Sequence, residues 1–316
     1  MSASPTLPNF FIVGAPKAGT TSLYAYLDQH AQIYMSPLKE PNYFAGELRP
    51  ENFSAELRPR VLREMRVIEE YLRGDMREKR FGGLVTNWED YLRLFQNVED
   101  EIAIGEATPI YLWSETAARN IASRIPHARI IINLRNPVDR AFSQYLQMVT
   151  EGVIRRSFRE QIHANLHCES KQFGPVWPLL EFGHYYGQIQ RYLNEFPRSQ
   201  IHISFHEDLE RAPAPLVSDL FAFLGVDQSF PADLSHRYHE PRIAKLAGVN
   251  YFLRKWPYLR NLAPRPLGPR LRSLMLRSRP SLKMEPADRA FLRDYYREDI
   301  EKLATLLDRD LANWLD

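Results

Sequence analysis

Residues 9–29, N-F-F-I-V-G-A-P-K-A-G-T-T-S-L-Y-A-Y-L-D-Q, constrain the fold more than any other stretch. Phe10, Phe11, Ile12 and Val13 form a short continuous apolar run stopped by a glycine, the pattern of a strand buried on both faces. Gly14 to Gly19 make a tight loop of small residues around Lys17. From Thr20 the period becomes helical, with Leu23, Tyr24 and Leu27 on one face. Strand, glycine-bounded loop and helix in this order aim backbone N–H groups and a positive helix end at an anion.

The loop approaches the nucleotide-binding pattern G-x-x-x-x-G-K-[ST] and departs from it at one place. Gly14 and Gly19 have the right spacing, and Thr21 sits where a metal-binding hydroxyl would be. Thr20 takes the place of the lysine, and the only lysine, Lys17, lies before the second glycine. That order argues against hydrolysis of a Mg-bound triphosphate. The anion expected here carries less terminal charge and needs no metal. The plainer reading of this stretch alone is an ordinary glycine-rich βα turn.

A second stretch, residues 129–149, reads R-I-I-I-N-L-R-N-P-V-D-R-A-F-S-Q-Y-L-Q-M-V. Ile130 to Leu134 is another buried-strand run, with Arg135 at its C-terminal end. Asn136 can cap a helix and Pro137 suits its first turn. Val138, Phe142, Tyr145, Leu146 and Val149 form the expected core stripe, with Ser143 on its flank. Arginine plus hydroxyl makes a receptor for a second phosphate. Taken alone, the pair also reads as a surface arginine and a solvated serine.

P-K-A-G-T-T-S-L followed much later by L-R-N-P-V-D-R-A-F-S-Q-Y resembles the sulfotransferases that use 3′-phosphoadenosine 5′-phosphosulfate (PAPS). The resemblance extends over nearly the whole chain. It implies that Lys17, Ala18, Gly19, Thr20, Thr21 and Ser22 cradle the phosphosulfate. It implies that Arg135 and Ser143 hold the 3′-phosphate, and that Arg242, in H-E-P-R-I, belongs to a cofactor-closing loop. The released product would be adenosine 3′,5′-bisphosphate, with no metal taking part.

Ile33 to Met35 reads as a short strand, followed by a loop in which Pro37 and Pro41 bracket Lys39 and Glu40. A loop that follows a strand beside the phosphate loop opens on the same sheet edge. Heparan-type sulfotransferases carry a similar K-E-P segment, which implies Glu40 as the general base. The plain alternative for Glu40 is a partner for Lys39. Ile102 to Glu106 is a further strand. In the segment G-E-A-T-P-I-Y, Ala107 stands where the family often has a lysine, leaving Glu106 and Thr108 as candidate pocket residues. Trp88, Tyr91 and Phe95 recur at helical spacing and read as core. A fifth strand falls in Q-I-H-I-S-F. A helix ends at Gly225, and a long amphipathic helix fills the C-terminal run.

A formal charge of +2 over 316 residues argues against a nucleic-acid binder driven by bulk charge. One cysteine, Cys168, excludes an internal disulfide and fits a reducing compartment. The N-terminus has no basic segment or apolar signal core, so the expectation is a cytoplasmic protein like the soluble bacterial members. The histidines lack ligand spacing; His184 is kept as a reserve base. Residues 241–284 carry eleven Lys and Arg and no Asp or Glu, with aromatic residues interleaved. This segment reads as a solvated basic face or, alternatively, as a docking surface for an anionic acceptor or lipid headgroup.

The expected architecture is a single three-layer α/β domain over residues 1–316, P-loop-like, with a mostly parallel sheet of about five strands flanked by helices. Residues 46–100 read as a helical insertion or lid. The expected activity is transfer of a sulfuryl group from PAPS to a hydroxyl or amine acceptor. The alternatives are a P-loop small-molecule kinase and a non-catalytic nucleotide-binding scaffold. Oligomeric state is not legible.

Overall fold

A computed structural model describes residues 5–168, 178–235 and 282–316. Arg242 and most of the basic segment 241–284 lie outside the described residues. The chain divides into two compact units. The first comprises described residues 5–135 and 185–235, and the second 136–168, 178–184 and 282–316. Among the described residues no helix is long and apolar enough to cross a membrane.

The first unit is built on a five-stranded sheet. Its strands are β1 (Phe10–Gly14), β2 (Ile33–Met35), β5 (Ala103–Ala107), β6 (Arg129–Leu134) and β7 (Ile201–Phe205). The order is β2-β5-β1-β6-β7, and every pairing is parallel. All five are runs that the sequence marks as strands, although β5 starts at Ala103, because Ile102 is exposed. β1 is buried throughout, as a central parallel strand covered on both faces should be.

Helices α1 (Thr20–Leu27) and α9 (Pro213–Leu224) cover one face. Leu23, Tyr24, Leu27, Leu216, Leu220 and Phe221 share a core there with Phe10, Ile12 and Ile33. Gly225 ends α9 in the left-handed conformation at φ 73°. On the other face, α4 (Ala117–Arg124) packs against α7 (Tyr185–Glu195), and Phe11 meets Phe44 edge-on at 5.6 Å. This is the three-layer α/β arrangement expected from the pattern of runs.

The stretch from 46 to 100 holds α2 (Arg58–Arg73) and α3 (Trp88–Arg93). It also supplies β4 (Arg80–Phe81), which pairs in parallel with β3 (Leu38–Lys39) to form a second, two-stranded sheet. Tyr91 and Phe95 are fully buried, as their spacing suggested. The Pro37–Pro41 segment, read as a loop, therefore contains a short strand. Two residues carry too little pattern to announce one.

The second unit contains α5 (Pro137–Thr150), α6 (Phe158–Leu166) and a long C-terminal helix, α10 (Pro286–Leu307); α8 (His206–Arg211) belongs to the first unit. Asn136 caps α5, its side chain accepting from the Val138 N–H at 2.9 Å, with Pro137 next in line. The buried face of α5 differs from the predicted stripe. Ser143 is only 8% exposed, whereas Phe142 and Val149 are half-buried. The reason is that α5 is covered by both α6 and α10, so its buried surface is wide. It takes in Arg140, whose guanidinium donates to Gln144 Oε1 at 2.6 Å and to the Leu179 carbonyl. Leu292, Tyr296, Ile300 and Leu303 form the buried stripe of α10. Ion pairs Arg159–Asp288, at 2.7 Å, and Arg289–Asp139, at 2.6 Å, fix its first turn.

Candidate active site

The chain leaves β1 toward β2 on one side of the sheet and leaves β6 toward β7 on the other. The crevice at the carboxyl ends of β1 and β6 is therefore a topological switch point, where open α/β sheets bind ligands. Residues 14–19 lie there. Gly14 closes β1 so tightly against Leu112 that an added Cβ would fall 2.5 Å from the leucine Cβ. Lys17 sits in the left-handed region at φ 69°, an uncommon place for a residue with a side chain. Gly19 precedes α1 at φ 91°, where an added Cβ would lie 2.6 Å from Leu209 Cδ2. Both glycines of the motif are thus required by geometry.

β6 holds the loop from beneath. The Asn133 carbonyl accepts from the Ala15 N–H at 2.7 Å. The Asn133 side-chain amide donates to the Ala18 carbonyl, while its oxygen accepts from Ser204 Oγ at 2.7 Å. Arg135 Nη1 donates to the Lys17 carbonyl at 3.0 Å, and the Arg135 carbonyl accepts from Tyr185 at 2.9 Å. Sequence reasoning identified Arg135 and missed Asn133, Ser204 and Tyr185. Asn133 was detectable, being the one polar residue inside the run I-I-I-N-L.

Thr20 and Ser22 are buried in the first turn of α1, and Thr21 faces a groove shared with Tyr24, Asp28, Lys79 and Phe81. No acidic residue occupies that turn and no side chain caps it. The first N–H groups of a helix have no intrahelical acceptors. The first turn carries the hydroxyls of Thr20, Thr21 and Ser22 and no acidic side chain, a setting suited to a phosphate or sulfate group. Ser143 lies in the second unit, on α5.

Glu40 stands at the end of β3, its N–H donating to the Ala107 carbonyl at 3.0 Å. This places it at the carboxyl end of β5, the strand beside β1. Glu40 is also in the left-handed region, at φ 64°. The Asn42 side chain supports that turn by donating to the Glu40 carbonyl at 2.8 Å and to that of Gly83 at 2.6 Å. Lys39 is 1% exposed, and its ammonium pairs with Glu40 Oε1 at 2.5 Å. The side chain of Glu40 is 41% exposed. The carboxylate is thus both a partner for Lys39 and accessible to solvent.

Glu106 and Thr108, candidates for the pocket wall, are fully enclosed. Thr108 Oγ1, Tyr91 Oη and Tyr111 Oη donate to the Glu106 carboxylate at 2.6, 2.9 and 3.1 Å. Burial pushes its pKa up to about 7, against the pull of those hydrogen bonds. His184, the reserve base, lies in the second unit, where its ring meets Tyr295 Oη at 3.1 Å and lies tilted against Tyr296 at 5.2 Å.

This architecture has counterparts among known proteins. Residues 8–230 match the model of the sulfotransferase family, and the chain belongs to that family. It is similar to a crystallised sulfotransferase from Alicyclobacillus acidocaldarius, with 30% identity, a TM-score of 0.70 and coverage of 98% of this chain and 100% of that one. Over 82% of its length it is 25% identical to the membrane-associated sulfotransferase kil1 of Dictyostelium discoideum, covering 66% of that protein. Over 98% of its length it is 26% identical to human bifunctional heparan sulfate N-deacetylase/N-sulfotransferase 3, covering 31% of it. The chain therefore spans about a third to two thirds of these curated relatives.

Proposed function

We propose that this chain transfers a sulfuryl group from PAPS to a hydroxyl or amine of an acceptor, with Glu40 as the general base. One observation carries the reading. The anion loop and Glu40 sit at the carboxyl ends of neighbouring strands, and both Lys17 and Glu40 are held at positive φ. Unfavourable backbone conformations persist where the surrounding structure imposes them, and they gather at functional sites.

PAPS would supply the sulfuryl group and, in its 5′-phosphate, the leaving group. Glu40 takes the proton of the acceptor as the acceptor heteroatom bonds to sulfur. Lys17 and the N–H groups at the start of α1 stabilise the negative charge that gathers on the phosphate oxygen as its bond to sulfur breaks. Gly19, Thr20, Thr21 and Ser22 position the transferring end. Arg135, and Ser143 by its place in the second motif, are assigned to the 3′-phosphate. Positioning and charge stabilisation do most of the work in such in-line transfers. Residues 46–100 are assigned to the acceptor side.

Calorimetry with adenosine 3′,5′-bisphosphate, ADP and ATP, each with and without Mg, tests the donor. Metal-independent binding that prefers the 3′-phosphate supports the reading; preference for Mg-ATP would replace it with a kinase. Transfer from PAPS to a panel of hydroxyl and amine acceptors then tests the base. Glu40→Gln should abolish transfer and leave bisphosphate affinity intact.

A further inference from the structure

We propose that Glu106 is a positioning residue for this reaction: its buried carboxylate fixes the loop that carries Glu40. The inference rests on the reading of Glu40 as the base. Glu106 lies in β5 on the sheet face away from α1, fully buried. Among the described residues it forms no ion pair, and its bonding partners are three hydroxyls. A buried acid without a cation is costly to keep, so its retention calls for a reason beyond packing.

Its partners lead to the Glu40 loop. Tyr91, which donates to Glu106, stacks on Tyr43 at 4.8 Å. Tyr111, a second donor, accepts from the Phe44 N–H at 3.2 Å. Ala107, the next residue, accepts from the Glu40 N–H at 3.0 Å. Residues 40, 43 and 44 are thus all tied to Glu106 or to a group that touches it.

The charge state of Glu106 alters these ties. As a carboxylate it accepts from all three hydroxyls. As a carboxylic acid it must donate one hydrogen, so one hydroxyl has to turn. Where that hydroxyl is Tyr111, which also accepts from the Phe44 N–H, the turn disturbs the loop. The ionisable groups around Glu106 are Tyr91, Tyr111, Tyr192, Glu40 and, through Glu40, Lys39. Burial pushes all three tyrosines well above their ordinary range, so they stay neutral donors. Glu40 remains as the charge that moves Glu106 upward, in addition to burial.

The test is a 13C NMR titration of protein labelled at the glutamate carboxyls. Glu106→Gln and Glu40→Gln assign the two resonances by their loss. The Glu106 signal should titrate near pH 7, and Glu40→Gln should lower that midpoint. With an acceptor from the panel, Glu106→Gln should lower kcat, flatten its rise across neutral pH and keep bisphosphate affinity. A Glu106 midpoint below about pH 5, or an unchanged kcat in a folded Glu106→Gln variant, overturns the inference. If Glu106→Gln does not fold, the titration of the unaltered protein decides alone. Full transfer by Glu40→Gln would instead overturn the base assignment, and the NMR coupling would still be read independently.

Discussion

Lys39 and Glu40, adjacent in the chain, form a 2.5 Å ion pair in which the lysine is buried and the glutamate opens to solvent. Among the described residues, that one carboxylate offsets the cost of enclosing the ammonium. Lys39→Met keeps the volume and removes the buried charge, so stability should change by no more than about 1 kcal/mol. Transfer should nevertheless fall at least about tenfold, because Glu40 loses the contact that orients it. Steady-state kinetics beside bisphosphate calorimetry checks this: kcat should drop while affinity holds.

The hold of β6 on the anion loop predicts a different signature. Asn133→Leu removes the donor to Ala18 and the acceptor of Ser204 in one step. Two buried polar groups lose their partner, and stability should fall by roughly 2–4 kcal/mol. Bisphosphate affinity should weaken with it, as the loop is no longer held. Ser204→Ala should cost less, roughly 1 kcal/mol, and leave binding within a few-fold. Chemical denaturation and calorimetry on the two variants separate these outcomes.

Gly19 faces two obstacles to any side chain, its φ of 91° and the Leu209 side chain. Gly19→Ala should destabilise the protein by roughly 1–3 kcal/mol and weaken bisphosphate binding. Adding Leu209→Ala makes room for the methyl group and leaves the backbone conformation unfavourable. The double variant should therefore bind no better than Gly19→Ala. Recovery of binding would show that the clash alone was responsible.

Burial of Glu106 makes a prediction about pH. Its folded pKa of about 7 exceeds the ordinary value of 4.5. The folded protein thus holds a proton that the unfolded chain has released, and stability falls as pH rises between those values. The contribution is complete below about 4.5 and lost as pH passes through about 7. Its size is at most roughly 3 kcal/mol. Relative to Glu106→Gln, the unaltered protein should lose stability from pH 5 to about pH 8, read as a widening gap in Tm.

The sequence announced the central sheet because Phe10–Val13, Ile33–Met35 and Ile130–Ile132 are continuous apolar runs and the strands at 103–107 and 201–205 are short, largely apolar stretches. It did not announce β3 and β4, two residues each, whose pairing depends on a neighbour about forty positions away. Helix α6 was missed although its start is written in S-F-R-E. Ser157 caps Glu160 N–H, and the Glu160 carboxylate returns to the Ser157 N–H at 2.7 Å. The places of Lys17, Arg135 and Glu40 near the carboxyl ends of the strands were legible because their motifs are local. The carboxylate cage around Glu106 was not, since Tyr91 and Tyr111 reach it from separate elements. Asn133 lay between these cases: visible as an oddity in its strand, but without a partner until Ala18 and Ser204 came into view.

The link from Ala18 through Asn133 to Ser204 also sets a timetable for assembly. Three segments, from near the start, the middle and the latter part of the chain, must meet before the anion loop has all its anchors. β1 and α1 are made before β7 during synthesis, yet the loop between them is completed only once β7 has joined the sheet. Such long-range closure is slow relative to local helix formation. Ligand competence should therefore arise late in folding, and a nascent chain that ends before β7 should carry the whole first motif without its grip on the bisphosphate.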